Sequence, residues 1–129
     1  MLTNLFVADT HTVLWYLTAD PHLSATAQRL LQEAESGFTE ILIPTIVLAE
    51  LLHIAEKKRF ANIDSIVKKL QIEFRFTVVP FDILIFEKMC QLPKTLEIHD
   101  RVIAATAHVY RGEVITKDPE IKKITATRW

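Results

Sequence analysis

Cysteine, glycine and net charge are all scarce in this chain. Its 129 residues include one cysteine and two glycines, and 15 Lys plus Arg nearly balance 16 Asp plus Glu. The single cysteine, Cys90, cannot form an internal disulfide, which favours a reducing cytoplasm over an oxidising compartment. A net charge close to zero excludes a protein that wraps duplex DNA by bulk electrostatics. It leaves open an enzyme that binds a polyanion in a local pocket.

Long apolar runs are missing as well. Half of the residues are hydrophobic and the mean hydropathy is +0.20. Charged residues nevertheless break every apolar run before the roughly 18 to 20 residues that a membrane-spanning helix needs. No basic segment precedes the first acid, Asp9, so a secretory signal is not expected. The sequence also lacks repeats and low-complexity segments. We therefore expect one cytoplasmic domain, residues 1–129, without membrane contact.

Short apolar runs alternate with segments of helical periodicity along the chain. Strands are predicted over Leu2–Ala8, Glu40–Ile43, Arg75–Phe81 and Val114–Thr116, with an edge strand in the tail, 121–129. This alternation, with short connections, predicts an α/β fold in which a central parallel sheet is flanked by α-helices on both faces. Two local expectations accompany it. Asn62 is predicted to cap a helix, and Cys90 is predicted to lie in the core because its helical run is apolar.

Three acids stand where a strand ends or a helix begins. Asp9 follows the first strand, and Asp100 starts a helix with one apolar face that ends at Gly112. Asp118 follows a short strand and precedes Pro119, a residue favoured at the first position of a helix. Taken singly, each acid is explained as a helix cap. Parallel α/β sheets, however, bind ligands outside the carboxyl ends of their strands, where these acids are placed.

Glu50 is the acid that capping explains least well. It lies in a helix predicted from Thr45 to Lys58, among apolar residues that leave almost no polar face in the first turns. An unpaired buried carboxylate is costly, so it normally gains a metal ion, a proton or a salt-bridge partner. His53, one turn further, completes a Glu-x-x-His sequence, but a di-iron site needs a second copy of that motif, which the chain does not have. A structural role is therefore predicted for His53.

Together, the four acids form a candidate metal site. Asp9, Glu50, Asp100 and Asp118 offer only oxygen ligands, a set that selects Mg²⁺ or Mn²⁺ over Zn²⁺. Carboxylates that lie close together raise one another's pKa, and a divalent cation makes such a cluster tolerable at neutral pH. The chemistry that fits is hydrolysis of a phosphodiester by a metal-activated water.

Four segments of the chain resemble, in the same order, the motifs of the PIN-domain ribonucleases, and most closely those of the VapC-like toxins of type II toxin–antitoxin modules. They are DTHTVLW at Asp9–Trp15, PTIVLAEL at Pro44–Leu51, HDRVIAATA at His99–Ala107 and ITKDPEI at Ile115–Ile121. The resemblance implies a Mg²⁺- or Mn²⁺-dependent endoribonuclease that cleaves RNA and forms a homodimer. It also implies a cognate antitoxin that covers the acidic pocket with its C-terminal segment and through which alone the toxin reaches DNA.

The resemblance also assigns roles to single residues. Asp9 and Asp100 match the family's principal metal ligands, and Glu50 and Asp118 complete its acidic quartet. Thr116 matches a hydroxyl position near the fourth acid.

Two further positions of the family pattern concern hydroxyl groups. Thr10 matches a small polar residue beside the first acid. Members commonly carry Ser or Thr one turn before the glutamate, whereas this chain has Val47, and Thr45 is the nearest hydroxyl.

Two basic residues and two other functions complete the expectations. Arg101 and Lys117 flank the late acids, and one of them is predicted to contact an RNA phosphate, although both could equally be exposed charges without a special role. A PIN-fold binding module that acts mainly through antitoxin or operator-complex assembly is the alternative function. A phosphoryl-transfer receiver domain fits less well, because the paired early acids and the late lysine of that class are not in place.

Overall fold

A computed structural model describes residues 4–58 and 63–129. Its strands are β1 (Asn4–Ala8), β2 (Thr39–Pro44), β3 (Thr77–Val79), β4 (Glu113–Ile115) and β5 (Thr127–Arg128). Its α-helices are α1 (Thr10–Leu17), α2 (Ala25–Glu33), α3 (Thr45–Lys58), α4 (Ile63–Lys68), α5 (Ile83–Gln91), α6 (Ile98–Tyr110) and α7 (Pro119–Lys122). The predicted start of a helix at Asn62, and the first two residues of the first predicted strand, lie outside the described residues.

The five strands form one parallel sheet in the order β3-β2-β1-β4-β5. The predicted α/β fold with a parallel sheet is therefore confirmed, including an edge strand in the C-terminal tail. β1 lies at the centre and is paired with β2 on one side and β4 on the other. Its last three residues, Phe6–Ala8, are fully buried, as expected for a strand covered on both faces. The carboxyl ends of β1 and β4 consequently lie side by side.

Two apolar clusters hold the helices in place. The larger one packs the sheet against helices, and Phe6, Ile41 and Ile103 are among its fully buried members. The smaller one lies between α5 and α6 and includes Ile85 and Met89. Because α6 contributes to both clusters, its first turn is fixed relative to the sheet edge. None of the helices in residues 4–58 and 63–129 is both long enough and apolar enough to cross a membrane.

The structure departs from one sequence-based expectation and adds two features that the sequence did not predict. Cys90 is exposed rather than in the core, because α5 turns Ile85 and Met89 inward and its other side outward. The helix before β3 ends in a π-helical turn, Lys69–Glu73. α6 ends with Arg111 in the left-handed conformation (φ 58°), and not with a glycine in that conformation.

Candidate active site

Asp9 is held by two groups at the junction of β1 and α1. As the N-cap of α1, it accepts a hydrogen bond at Oδ1 from the backbone N–H of Thr12 over 2.9 Å. Its Oδ2 accepts a short hydrogen bond from the Thr116 hydroxyl. Thr12 in turn donates through Oγ1 to the carbonyl of Ile115 over 2.8 Å, which ties α1 to β4. The prediction that Asp9 caps a helix is therefore confirmed, and the cap fixes its carboxylate at the edge of the sheet.

Glu50 has the partner that its apolar surroundings require, but that partner is not a lysine or an arginine. Its Oε1 accepts a hydrogen bond of 2.6 Å from the hydroxyl of Thr10, which is buried. Its Oε2 lies 3.3 Å from Nδ1 of His99, and the same nitrogen lies 3.1 Å from a carboxylate oxygen of Glu97. Thr10 thus supplies the hydroxyl that contacts Glu50, whereas Thr45 accepts a hydrogen bond from the Phe81 N–H.

Asp100 lies in the first turn of α6 and is not its cap. Glu97 holds the N-cap position, without a side-chain hydrogen bond to the helix. The pKa of Asp100 is raised from 3.8 to about 7, chiefly by desolvation and then by the negative charges of Asp118 and Glu97. Asp9 adds a smaller contribution in the same direction. The carboxylates are therefore close enough to oppose one another's ionisation.

Asp118 caps α7 in the way that its sequence predicts. Its Oδ1 accepts from the backbone N–H of Glu120 over 2.8 Å, and Pro119 takes the first helical position. Its own N–H donates to the Thr116 hydroxyl over 3.0 Å. Thr116 is buried, and its single hydroxyl oxygen contacts both the carboxylate of Asp9 and the backbone N–H of Asp118.

All the predicted site residues line one cleft of about 630 Å³. They are Asp9, Thr10, Glu50, Asp100, Thr116 and Asp118. Across the part of the chain that the structure describes, no three His, Cys, Asp or Glu side chains are arranged as a ready-made metal site. The donor set nevertheless suits a hard divalent cation because it consists of oxygens. Desolvation, followed by the charges of Asp118 and Glu97, raises the pKa of Asp100, and a cation would oppose that shift.

The two basic residues have different surroundings. Arg101 donates through Nε to the carbonyl of Met89 over 3.0 Å and through a terminal nitrogen to the carbonyl of Leu92 over 3.4 Å. It therefore stabilises the end of α5. Lys117 lines the cleft, with its Nζ 4.8 Å from the centroid of the Trp15 ring. Of the two, Lys117 is the residue placed to meet a ligand.

Several lining residues were not singled out from the sequence. The cleft also includes His11, Trp15, His22 and Trp129, and the Glu50 partner His99 stands at its border. Aromatic and histidine residues spread over the two ends of a chain carry no spacing signal. Only the motif DTHTVLW pointed to this region, since it places His11 and Trp15 two and six residues after the first acid.

Comparison with known proteins assigns the family. The model of the PIN domain matches residues 6–126, nearly the whole chain. The chain belongs to the PIN-domain family, whose members are in general nucleases that use divalent metal ions. Among curated protein sequences, none is similar enough to the chain to count as a relative.

Solved structures support the same fold. The chain is similar to one in VapBC2 from Rickettsia felis, bound to a DNA fragment from its promoter, with a TM-score of 0.72, 19% identity and coverage of 96% of this chain and 97% of that one. A toxin–antitoxin complex from Klebsiella pneumoniae has a TM-score of 0.68 and 20% identity, with coverage of 98% of this chain and 97% of that one. FitAcB from Neisseria gonorrhoeae has a TM-score of 0.67 and 21% identity, with coverage of 95% of both chains. At these sequence identities, the similarity shows a shared fold alone.

Proposed function

We propose that this protein is a Mg²⁺- or Mn²⁺-dependent endoribonuclease and the toxin of a toxin–antitoxin module. The observation that carries the proposal is the meeting of Asp9, Glu50, Asp100 and Asp118 in one cleft at the carboxyl edge of the sheet. Four separate elements supply these acids, so local helix capping does not explain their meeting. The PIN-domain match supports a nuclease, and the oxygen-only donor set supports a hard divalent ion.

The residues of the chain prepare the carboxylates for the ion. A bound divalent ion lowers the pKa of the attacking water and stabilises the leaving oxygen. Thr116 orients Asp9, and Thr10 orients Glu50, each through a hydroxyl that donates to the carboxylate. Desolvation and the charges of neighbouring acids raise the pKa of Asp100 to about 7, and a bound cation would favour its ionised form. Asp9, Glu50, Asp100 and Asp118 would hold the ion, although they do not form a ready-made cluster in residues 4–58 and 63–129.

We assign the cognate antitoxin to the same cleft. The structures with the same fold include complexes described as toxin–antitoxin or VapBC. The cleft reaches solvent through the exposed residues His11, His22 and Lys117. A segment that covers it blocks access of RNA to all four carboxylates at once. DNA is reached only through the antitoxin, in keeping with the chain's formal net charge of −1.

We further assign an apolar patch on α5 and its neighbours to a homodimer. The patch consists of five exposed side chains, Phe81, Ile83, Leu84, Phe86 and Ile98. Phe81 and Ile98 border an apolar groove between α3, α5 and α6. Exposed apolar surface of this kind marks an interaction site. A near-neutral second copy of the chain meets little charge repulsion there.

The test of nuclease function is a matched pair of aspartate substitutions. Asp9 and Asp82 are both N-caps that accept from the amide three residues on, but only Asp9 lines the cleft. Asn caps a helix as well as Asp does. We expect Asp9→Asn to lower the rate of Mg²⁺-dependent cleavage of purified RNA by at least about 100-fold, because several kcal/mol of transition-state stabilisation are lost. Asp82→Asn should cleave at the wild-type rate.

Growth inhibition on expression provides the test of the toxin role. Wild-type protein should arrest growth, Asp9→Asn should not, and co-expression of the antitoxin should relieve the arrest. Cleavage that survives in carefully purified Asp9→Asn protein, or that survives a chelator, contradicts the proposed site.

A binding module without nuclease activity is the second candidate. It is favoured by the lack of a ready-made metal cluster in the described parts of the chain. Calorimetric titration of the wild-type protein separates the two functions. Binding of Mg²⁺ or Mn²⁺ that Asp100→Asn weakens supports the nuclease, and no measurable binding supports the module.

A further inference from the structure

One wall of the carboxylate cleft is built from rings. Trp15 is its centre, with the imidazole of His22 5.4 Å away, the ring of His11 5.5 Å away and the indole of Trp129 5.9 Å away, measured between centroids. Three separate parts of the chain contribute these rings: α1, the loop before α2, and the C-terminal residue. We call Trp15, His22, His11 and Trp129 the aromatic wall.

The rings of Trp15 and His22 form a stack that ends in solvent. Their planes are inclined by 28°, the closest to parallel of the pairs in the wall. Trp129 and His11 meet Trp15 at 61° and 46°, so they brace it and do not extend the stack. Although Trp15 covers one face of the imidazole, 66% of the His22 side chain is exposed. The outer face of His22 is therefore open to a further planar group.

The imidazole of His22 is also held at its edge. Asp20 accepts at Oδ1 from the backbone N–H of His22 over 2.8 Å, and the same oxygen lies 2.6 Å from Nδ1 of the ring. The backbone N–H of His22, followed by its side chain, lowers the pKa of Asp20, so the carboxylate stays charged at neutral pH. A ring fixed on one face and at one edge loses little conformational freedom when a ligand stacks on it.

A cation lies over the ring of Trp15. Lys117 places its ammonium group 4.8 Å from the centroid of Trp15, and its side chain is exposed. Lys117 is the residue before Asp118 and lines the same cleft as the carboxylates. A planar apolar face with a neighbouring cation is the combination that binds one unpaired nucleotide, since the base stacks and the phosphate meets the charge.

We propose that His22, backed by Trp15, is a stacking platform for one unpaired base of a single-stranded RNA, with Lys117 contacting a phosphate of the same strand. The inference rests on the proposed nuclease function and specifies its substrate. Bases within a duplex have both faces covered by neighbouring bases, so they cannot use the platform. The proposal therefore predicts that an unpaired base near the cleaved bond contacts the outer face of His22.

The experiment measures binding of a fluorescently labelled single-stranded RNA by anisotropy, in the Asp9→Asn background with Mg²⁺ present. A gel of the same samples reports whether the RNA stays intact. His22→Ala should weaken binding roughly 5- to 100-fold, the range observed for loss of one base–aromatic stack. His108→Ala is the matched control, because His108 is an exposed histidine on α6 that does not line the cleft, and it should bind as the parent does.

Two further variants distinguish the ring of His22 from its charge. His22→Phe keeps a planar ring and should bind within about threefold of the parent, whereas His22→Lys keeps a positive charge and should bind as weakly as His22→Ala. An abasic nucleotide introduced at each position in turn should weaken binding at one position, and at that position the additional His22→Ala change should have no further effect.

The proposal is overturned if His22→Ala binds like His108→Ala, if His22→Phe binds like His22→Ala, or if duplex RNA competes as well as single-stranded RNA. These results are distinguishable from failure of the nuclease function. That failure appears as intact RNA after incubation with wild-type protein and Mg²⁺, whatever the affinities of the His22 variants.

Discussion

Burial and neighbouring acids disfavour the ionised form of Asp100 in the folded protein. Its pKa is raised from 3.8 to about 7, first by desolvation and then by Asp118 and Glu97. Between those pH values the folded state holds a proton that the unfolded state has released. The free energy of unfolding therefore falls as the pH rises from about 4 to 7, and the loss is complete above that range.

The substitution Asp100→Asn removes this loss. In metal-free buffer we expect the variant to gain stability over the wild type as the pH rises, with little difference at pH 4 and a gain on the order of 1 kcal/mol at pH 8, after allowance for solvent screening. Urea denaturation at the two pH values measures the gain. Glu73→Gln, which removes an exposed carboxylate outside the cleft, controls for net charge. A gain that is the same at both pH values would contradict the prediction.

Hydroxyl groups decide how the acids of this cleft are oriented, and they mark a limit of sequence reasoning. Positions of the four carboxylates followed from the ends of strands and from one apolar helix. Their partners did not, since Thr10 and Glu50 are 40 residues apart and Asp9 and Thr116 are 107 apart. A hydroxyl forms a hydrogen bond with whichever acceptor the fold brings near it, and no local pattern identifies that acceptor. His99, the second partner of Glu50, was missed for the same reason.

At the scale of elements, the connection from α6 to β4 brings Asp100 and Asp118 to the same edge. Arg111 adopts the left-handed conformation, and the next residue, Gly112, donates its N–H to the carbonyl of Ala107 over 2.9 Å. A Cβ at Gly112 would lie 2.9 Å from the backbone oxygen of Leu5. The glycine is therefore required for the close approach of the chain to β1, whereas the positive φ falls on its neighbour.

Separate substitutions at Gly112 and Arg111 test whether the first position needs a glycine for space and the second adopts its positive φ without one. Gly112→Ala should destabilise the protein by about 1 to 3 kcal/mol, because the new methyl group meets backbone that cannot move away without opening the β1–β4 pairing. Arg111→Gly should be neutral or slightly stabilising, since glycine adopts the left-handed conformation without steric cost. Thermal denaturation of both variants provides the measurement, and equal destabilisation by the two would contradict it.

Helix α5 shows how an apolar pattern can give the right element and the wrong environment. Asp82 is a clear N-cap of this helix, since it accepts from the N–H of Ile85 over 3.0 Å. The run is apolar nearly all round, which predicted a buried helix and a core position for Cys90. One side is buried and the other is exposed. Apolar residues on both sides of a helix in one protomer are explained when the second side packs against another chain.

For the whole molecule, the parallel sheet was predictable because alternation of strand and helix permits few arrangements. The order of its strands was not predicted, since β1 at the centre is fixed by pairings between segments far apart in the chain. The cleft follows from that order. Asp9 after β1 and Asp118 after β4 become neighbours only because β1 and β4 pair directly.

The assembly is the remaining property at this scale, and the apolar patch makes it testable. If two copies pack through Phe81, Ile83, Leu84, Phe86 and Ile98, a charge at Leu84 must be buried without a partner when the dimer forms. Such burial costs several kcal/mol, so Leu84→Glu should weaken self-association by more than about 100-fold. Sedimentation velocity over a range of concentrations should show a dimer for the wild type and a monomer for the variant.

Ile72 offers the matched control for that experiment. It is the most exposed of the large apolar side chains at 78%, and it lies on the π-helical turn and not on the patch. Ile72→Glu adds the same charge to a site that is more exposed than Leu84 and should leave the dimer intact. A wild-type protein that sediments as a monomer, or an Ile72→Glu variant that dissociates as Leu84→Glu does, would remove the patch as the dimer surface. The exposed side of α5 would then need a different apolar partner, because only burial of these side chains gains the hydrophobic free energy.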